Sequence, residues 1–319
     1  MLTENVDRFH KLVYGIMKAL GKLALVVVLS VQWLNPSYGA QPTGCSYDSG
    51  YSKTGIYTCV FGSYTEPLSY GAFSNPYPQR LKITGLSGSF PAAGTAFSGF
   101  SGFSSANFDS NYPASLELVC SSSITLASGT FTGMSYLQEV KFSHCSITSF
   151  TSGMLGSFGN LNSLIFEYGS VGTYSTDFLT GVSIQTQSVP EPKGELVFKD
   201  FTLTPTSIPA GVFDAQTSAK SIRIENCGVT AIASTVFGQT TTLTQISITD
   251  NPLTTLDNDL FAGLNSLSSV DFDGIQYDCT CSTLGVLTFA SDNSITLPSN
   301  LICNTPASFQ GKYIVYICQ

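Results

Sequence analysis

The feature that most constrains the fold is an apolar pattern of eleven residues that recurs along the chain. In the segment LQEVKFSHCSI, which starts at Leu137, apolar residues or cysteine occupy positions 1, 4, 6, 9 and 11, and we number the eleven positions as slots. The pattern starts at residues 113, 137, 161, 193, 219, 243 and 267, at offsets of 24, 24, 32, 26, 24 and 24, with the copies at 113 and 193 the weakest. A repeat that keeps phase in this way predicts one structural unit copied along the chain.

The second half of each unit carries its own apolar register. Its members are Phe131, Leu155, Phe213, Phe237 and Phe261. The long offset contains an insertion around residues 183–192, and its Pro190-Glu191-Pro192 predicts a surface loop. Residues 81–112 are interpreted as one more, degraded unit, whose run GTAFSGFSGFSS fits no clear register.

Elementary packing predicts how such units assemble. Slots 3 to 7 alternate between apolar and polar, which is typical of a short strand with one buried side. One unit cannot bury its apolar side chains alone, so successive units are expected to stack with their strands in a parallel sheet. The rest of each unit is rich in Ser, Thr and Gly without helical periodicity, so we expect irregular or 3-10 structure there.

Over roughly residues 78–318 the pattern resembles the leucine-rich repeat family in its extracellular 24-residue form. The resemblance implies an α/β fold class, a right-handed solenoid shaped like a horseshoe, with short parallel strands on the concave face and disulfide caps. One departure is the ninth slot, where the family usually has an Asn that satisfies the backbone of the adjoining turn. Here the slot holds Ser121, Cys145, Gly169, Phe201, Cys227, Asn251 and Ile275, so we expect irregular turns.

The first 40 residues resemble a signal peptide. Basic residues precede a 12-residue apolar run, 23–34, which is too short to cross a bilayer, and small residues at Ser37, Gly39 and Ala40 suit cleavage. Met17 is an alternative start, and a retained anchor is the competing interpretation. We therefore expect a secreted protein with four segments: signal peptide 1–40, N-terminal cysteine cap 41–77, leucine-rich repeats 78–277 and C-terminal cysteine cap 278–319.

The nine cysteines suit an oxidising compartment. The resemblance implies the pairs Cys279–Cys303 and Cys281–Cys318 in the C-terminal cap, and zinc binding is disfavoured by the C-x-C spacing. The segment around Cys45 and Cys59 resembles a smaller version of the family's N-terminal flank, in which these two residues are expected to form one disulfide that closes a hairpin. The remaining three are Cys120, Cys145 and Cys227. Buried free thiols are the default for Cys145 and Cys227, and a Cys120–Cys145 link between adjacent units is the alternative.

Charge is concentrated in the outward slots 2, 3, 5, 7 and 8 of the repeats. The candidate partner-binding residues there are Glu139, Lys141, His144, Glu167, Tyr168, Glu195, Lys199, Asp200, Lys220, Arg223, Glu225, Asp250, Asp271 and Asp273. A purely structural interpretation is that neighbouring units form ion pairs, Glu117 with Lys141 and Lys199 with Glu167 and Glu225. It leaves Glu139, Glu195 and the aspartates without a partner in the same slot, which favours a binding surface.

Composition narrows the function further. The chain has 13 basic and 21 acidic residues, which argues against a nucleic-acid partner and favours a basic or mixed-charge protein. No nucleotide, metal or triad motif is present, so we predict no enzyme activity, no metal and no cofactor. The expected function is a secreted protein-binding module without stable membrane insertion after leader cleavage. The alternatives are a self-associating matrix or adhesion protein and innate-immune recognition of a microbial ligand.

Overall fold

The computed structural model describes residues 42–48, 55–60, 68, 72–73, 78–90, 96–101, 109–257, 259–279, 285–295 and 301–314. All of them belong to the unit Ala40–Gln319, one of two into which the chain divides. The predicted signal peptide lies outside the described residues, and so does the predicted pair Cys281–Cys318.

Short strands dominate the described part of the chain. They are β1 Cys45–Tyr47, β2 Gly55–Val60, β3 Pro78–Ser89, β4 Ser115–Thr125, β5 Glu139–Ser143, β6 Ser146–Ile147, β7 Asn160–Leu161, β8 Ser163–Val171, β9 Ser183–Ile184, β10 Glu195–Leu203, β11 Ser207–Ile208, β12 Ser221–Glu225, β13 Ala231–Ile232, β14 Gln245–Ser247, β15 Ser269–Asp271, β16 Tyr277–Asp278 and β17 Cys303–Thr305.

One parallel ladder runs through the repeats in the order β4, β5, β8, β10, β12, β14 and β15. Its register joins the fourth slots of successive units: Leu116, Val140, Leu164, Leu196, Ile222, Ile246 and Val270. Each step equals the offset read from the sequence, including the long ones of 32 and 26. The repeat therefore stacks in phase, as predicted.

The ladder continues toward the N-terminus. Leu81 of β3 pairs with Leu116, so a strand of the additional unit predicted over residues 81–112 joins the ladder. Tyr57 of β2 pairs in turn with Leu81, and β1 adds an antiparallel edge. The predicted N-terminal cap thus contributes two strands to the main sheet.

The sheet branches at β6, which pairs with both β4 and β8 and closes a small ring of strands. The sheet branches because the strand of one unit is interrupted and divided into β5 and β6. They are separated by His144 and Cys145, while β4 and β8 run past the break on either side.

The core lies between the strands and the returning halves of the units. Slot-6 rings stack from unit to unit, Phe142 on Phe166 at 5.0 Å and Phe166 on Phe198 at 5.1 Å between centroids. Phe131 stacks similarly on Phe158 at 4.5 Å and on Phe97 at 5.9 Å. Phe97 belongs to the run GTAFSGFSGFSS, so at least this residue of the run packs into the shared core.

The expected α/β class overstated the helical content. Within the described ranges the helices are one 3-10 turn, Gly156–Phe158, and one α-helix, α1, Gly285–Asp292. The returning halves consist mostly of turns, with two small parallel ladders of β7 with β9 and β11 with β13. No described helix has the length and apolar character needed to cross a membrane.

Three disulfides stabilise the described part of the chain. Cys45–Cys59 closes the β1–β2 hairpin, and Cys279–Cys303 joins the end of the last repeat to β17. A third bond joins Cys120 to Cys145. The default of a free thiol at Cys145 was therefore wrong, because the in-phase stack brings the two Cα atoms to 4.8 Å. Cys227 is free and buried, and burial raises its pKa to about 12.

Candidate protein-binding face

The outward slots of the seven repeats form one surface, which we call the strand face. Slots 3, 5 and 7 point outward because side chains alternate along each strand while slots 4 and 6 point into the core. The remaining candidates of the fourteen lie on either side of these positions, in slots 2 and 8. Parallel in-register pairing then places equal slots of adjacent units side by side, at the strand spacing of ~4.8 Å. The charges on this face are therefore arranged in rows that cross the strands.

Ion pairs neutralise the N-terminal half of the face, but not as expected. Glu117 lies beside Lys141 in the register, yet its carboxylate pairs with Lys82 at 3.1 Å. Lys141 instead pairs with Glu167 at 2.6 Å, across one unit and two slots. The expected ion pair between Glu117 and Lys141 was wrong, because Glu117 pairs with Lys82, its register partner on β3, and the long side chain of Lys141 reaches Glu167 in a neighbouring row.

Lys193 connects two carboxylates that were expected to lack a partner. Although it occupies an apolar slot 1, its Nζ lies 3.7 Å from both Glu139 and Glu195. The insertion positions it, since buried Asn162 accepts a hydrogen bond from the Lys193 N–H at 2.8 Å and donates one to the Glu191 carbonyl at 3.0 Å. No pattern in the sequence predicts this contact, which spans two units.

Glu225 has two cationic neighbours. Arg223 donates to it from Nε at 2.8 Å and lies 2.7 Å away through Nη2, while Lys199 is more distant at 3.9 Å. The expected pair between Lys199 and Glu225 is therefore present. Lys220 lies outside these rows, because its Nζ donates to the carbonyl of Thr242 at 3.4 Å.

The C-terminal part of the strand face keeps its negative charge. Within the described part of the chain, Asp200, Asp250 and Asp271 take part in none of the ion pairs. Asp200 Oδ1 accepts a hydrogen bond from Asn226 Nδ2 at 2.7 Å, and Asp271 Oδ1 accepts one from the backbone N–H of Asp273 at 3.1 Å. Neither interaction neutralises a carboxylate.

Slot 8 has a conformation that the sequence analysis missed. Its residues have positive φ in six successive units: His144 (58°), Tyr168 (54°), Asp200 (49°), Asn226 (51°), Asp250 (54°) and Gly274 (74°). The left-handed residue ends the alternation, so that slots 8 and 9 do not continue the strand pattern. Asn, Asp and Gly adopt this conformation most readily, and that preference was the available signal.

His144 and Tyr168 form an exposed aromatic pair within this row. Their ring centroids are 5.3 Å apart, and Tyr168 is 49% exposed. Ser143 Oγ lies 2.9 Å from His144 Nδ1 and donates to Glu167 Oε1 at 3.1 Å. The pair is followed along the same row by Asp200, Asn226 and Asp250.

The single Asn of the ninth slot, Asn251, satisfies the backbone of the adjoining turn. Asn251 is buried, and its amide Nδ2 donates to the carbonyls of Ile224 and Thr249 at 2.7 and 2.8 Å. Its Oδ1 accepts from the N–H groups of Cys227 and Val229 at 3.0 and 3.1 Å. Positive φ is present at slot 8 beside every other ninth-slot residue except Ser121, so the turns are more regular than expected.

An open trough lies at the acidic end of the slot-8 row. It encloses about 380 Å³ and is lined by Lys199, Asp200, Glu225, Asn226, Thr249 and Asp250. Across the ranges that the structure describes, no three His, Cys, Asp or Glu side chains are grouped so as to hold a metal ion. Three carboxylates and one ammonium group line the trough, so its chemistry can accommodate a cationic group.

Comparisons with known proteins agree with this architecture. Residues 206–317 match the family model described as the BspA type leucine rich repeat region, in six copies. These repeats and the three disulfides of the described residues support the resemblance to disulfide-containing leucine-rich repeat proteins.

A solved structure with a similar fold is that of human 5T4 (Wnt-activated inhibitory factor 1, trophoblast glycoprotein). The similarity covers 88% of this chain and 97% of that chain, with a TM-score of 0.58 and 18% sequence identity. At that identity the likeness concerns the fold alone. No curated protein matches the chain at a significant level.

Proposed function

We propose that this protein is a secreted, non-enzymatic binding module that recognises a basic or mixed-charge partner protein through its strand face. The observation that carries the proposal is the contrast along that face. Five cations neutralise the carboxylates of the N-terminal units and Glu225, whereas Asp200, Asp250 and Asp271 keep their charge. Charges needed only for solubility or for ladder stability have no reason to separate in this way.

The size of the strand face supports the proposal. Seven or eight strands at ~4.8 Å give a surface of ~35 Å across the strands, enough for a standard interface of ~800 Å² per partner. We further propose that the strand face is the concave side of a right-handed solenoid, with the segment boundaries 1–40, 41–77, 78–277 and 278–319. In the extracellular fluid, the unpaired carboxylates would steer a basic partner toward this face.

The test is affinity capture from the extracellular fluid of the source, comparing the wild type with Asp271→Lys/Asp273→Lys. The matched control is Asp214→Lys/Asp259→Lys, which reverses two exposed carboxylates of the returning halves. We expect the strand-face variant to lose the captured protein and the control to retain it. Equal capture by both variants would contradict the proposal.

Sedimentation velocity separates binding from a matrix role. A binding module is expected to remain monomeric and monodisperse as its concentration rises. Concentration-dependent assembly of the purified wild type, unaffected by the strand-face variant, would instead favour a structural protein.

A further inference from the structure

Tyr168 occupies a position where the fold alone favours another residue. Slot 8 requires positive φ in six successive units, and Asp, Asn, His or Gly meets that requirement in five of them. A bulky aromatic residue is disfavoured in this conformation. A fold-only account therefore predicts Asn or Gly at residue 168.

Burial of the Tyr168 side chain offsets little of the free-energy cost of this backbone conformation. Tyr168 is 49% exposed, and the ring contact that the structure shows for it is with His144, which is itself exposed. An exposed aromatic residue in a costly backbone conformation is typical of a functional position. Tyrosine is also among the residues that most often dominate the energy of protein interfaces.

The next units along the same row provide negative charge. Asp200 follows Tyr168 directly in the register of equal slots, and Asp250 lies two units beyond Asp200. Neither forms an ion pair in the described part of the chain, and the open trough of about 380 Å³ lies between them. A second copy of this acidic chain would bring like charges together here, so self-docking does not fit.

We propose that His144 and Tyr168 are the anchor of the binding surface, and that the partner presents an extended basic segment along the slot-8 row. This inference rests on the proposed function and specifies its partner. An apolar or aromatic side chain of the segment packs on Tyr168, and an arginine or lysine reaches Asp200 and Asp250.

The strand spacing fixes the distance between the two partner side chains. Three strand spacings separate Tyr168 from Asp250, which is ~14 Å. An extended chain advances ~3.4 Å per residue, so the basic residue lies about four residues from the apolar one.

The first test measures stability and binding together in Tyr168→Asn. Because Asn suits positive φ, the thermal midpoint is expected to equal or exceed that of the wild type, while capture of the partner falls at least about tenfold. A lowered midpoint with unchanged capture would show that Tyr168 serves the fold, and would overturn the proposal. The control is Tyr313→Asn, since Tyr313 is 46% exposed but lies outside the strand face.

The second test uses fluorescein-labelled peptides with one tyrosine and one arginine in a Gly/Ser background, with the separation varied from about two to eight residues. We expect fluorescence anisotropy to show the tightest binding near a separation of four, and its loss in Tyr168→Asn and in Asp250→Asn. Absence of binding, or binding independent of separation, would overturn the proposal. If Asp271→Lys/Asp273→Lys loses the partner while Tyr168→Asn retains it, the strand face binds and only this inference fails.

Discussion

The buried amide of Asn251 offers a quantitative test of how the units are held in phase. Its side chain makes four hydrogen bonds to backbone groups, two as donor and two as acceptor, at 2.7 to 3.1 Å. Asn251→Ala removes all four of these hydrogen bonds at a position that is 1% exposed. The Thr249 carbonyl keeps a hydrogen bond from the Asn226 N–H at 3.0 Å. Each of the other three backbone groups left without the Asn251 side chain costs about 1 kcal/mol, so we expect a loss of about 3 kcal/mol in the free energy of unfolding.

The assay is urea denaturation followed by far-ultraviolet circular dichroism, with the midpoint and slope both fitted. Asn265→Ala is the control, because Asn265 is exposed and no hydrogen bond of its side chain is observed, and its change should stay within about 0.5 kcal/mol. A loss below about 1 kcal/mol in Asn251→Ala, with an unchanged slope, would refute the role given to the ninth slot.

Three further predictions concern the cysteines and the leader. Cys227 should resist iodoacetamide in the native protein up to mildly alkaline pH, because burial raises its pKa to about 12 and keeps the thiolate scarce; labelling before unfolding would contradict this. The double variant Cys120→Ala/Cys145→Ala should lose about 3 kcal/mol of stability in chemical denaturation, since the bond closes a loop with a separation of 25 residues, and an unchanged midpoint would argue against it. Trp33 is the single tryptophan and lies in the predicted signal peptide, so the secreted protein should show no tryptophan emission, whereas a clear signal would indicate retention of the leader.

Much of the fold could be predicted because one period controls two apolar registers. Offsets of 24, 32 and 26 residues in the sequence became the register of Val140, Leu164, Leu196 and Ile222. Core residues at slots 4 and 6 followed from the same alignment, since a strand buries every second side chain. The Cys120–Cys145 bond was left open because it depends on how closely two particular units approach.

The site was harder to predict, since it depends on long side chains and on local backbone conformation. Lys193 reaches Glu139 only because the insertion, held by Asn162, carries it across an intervening unit. The left-handed backbone at slot 8 is difficult to predict from the sequence. Asn226 and Gly274 favour positive φ, but Tyr168 in the same slot does not. Sequence patterns identify the face, and side-chain geometry decides which of its charges are neutralised.

Carboxylate footprinting tests the central claim most directly. The wild type is labelled with a carbodiimide and glycine ethyl ester, with and without the captured partner, and the modification of each carboxylate is quantified by mass spectrometry. Protection is expected at Asp200, Asp250 and Asp271 on the strand face, with Asp177 and Asp214 in the returning halves modified equally in both states. Protection of Asp177 and Asp214 with continued modification of the strand-face aspartates would contradict the account.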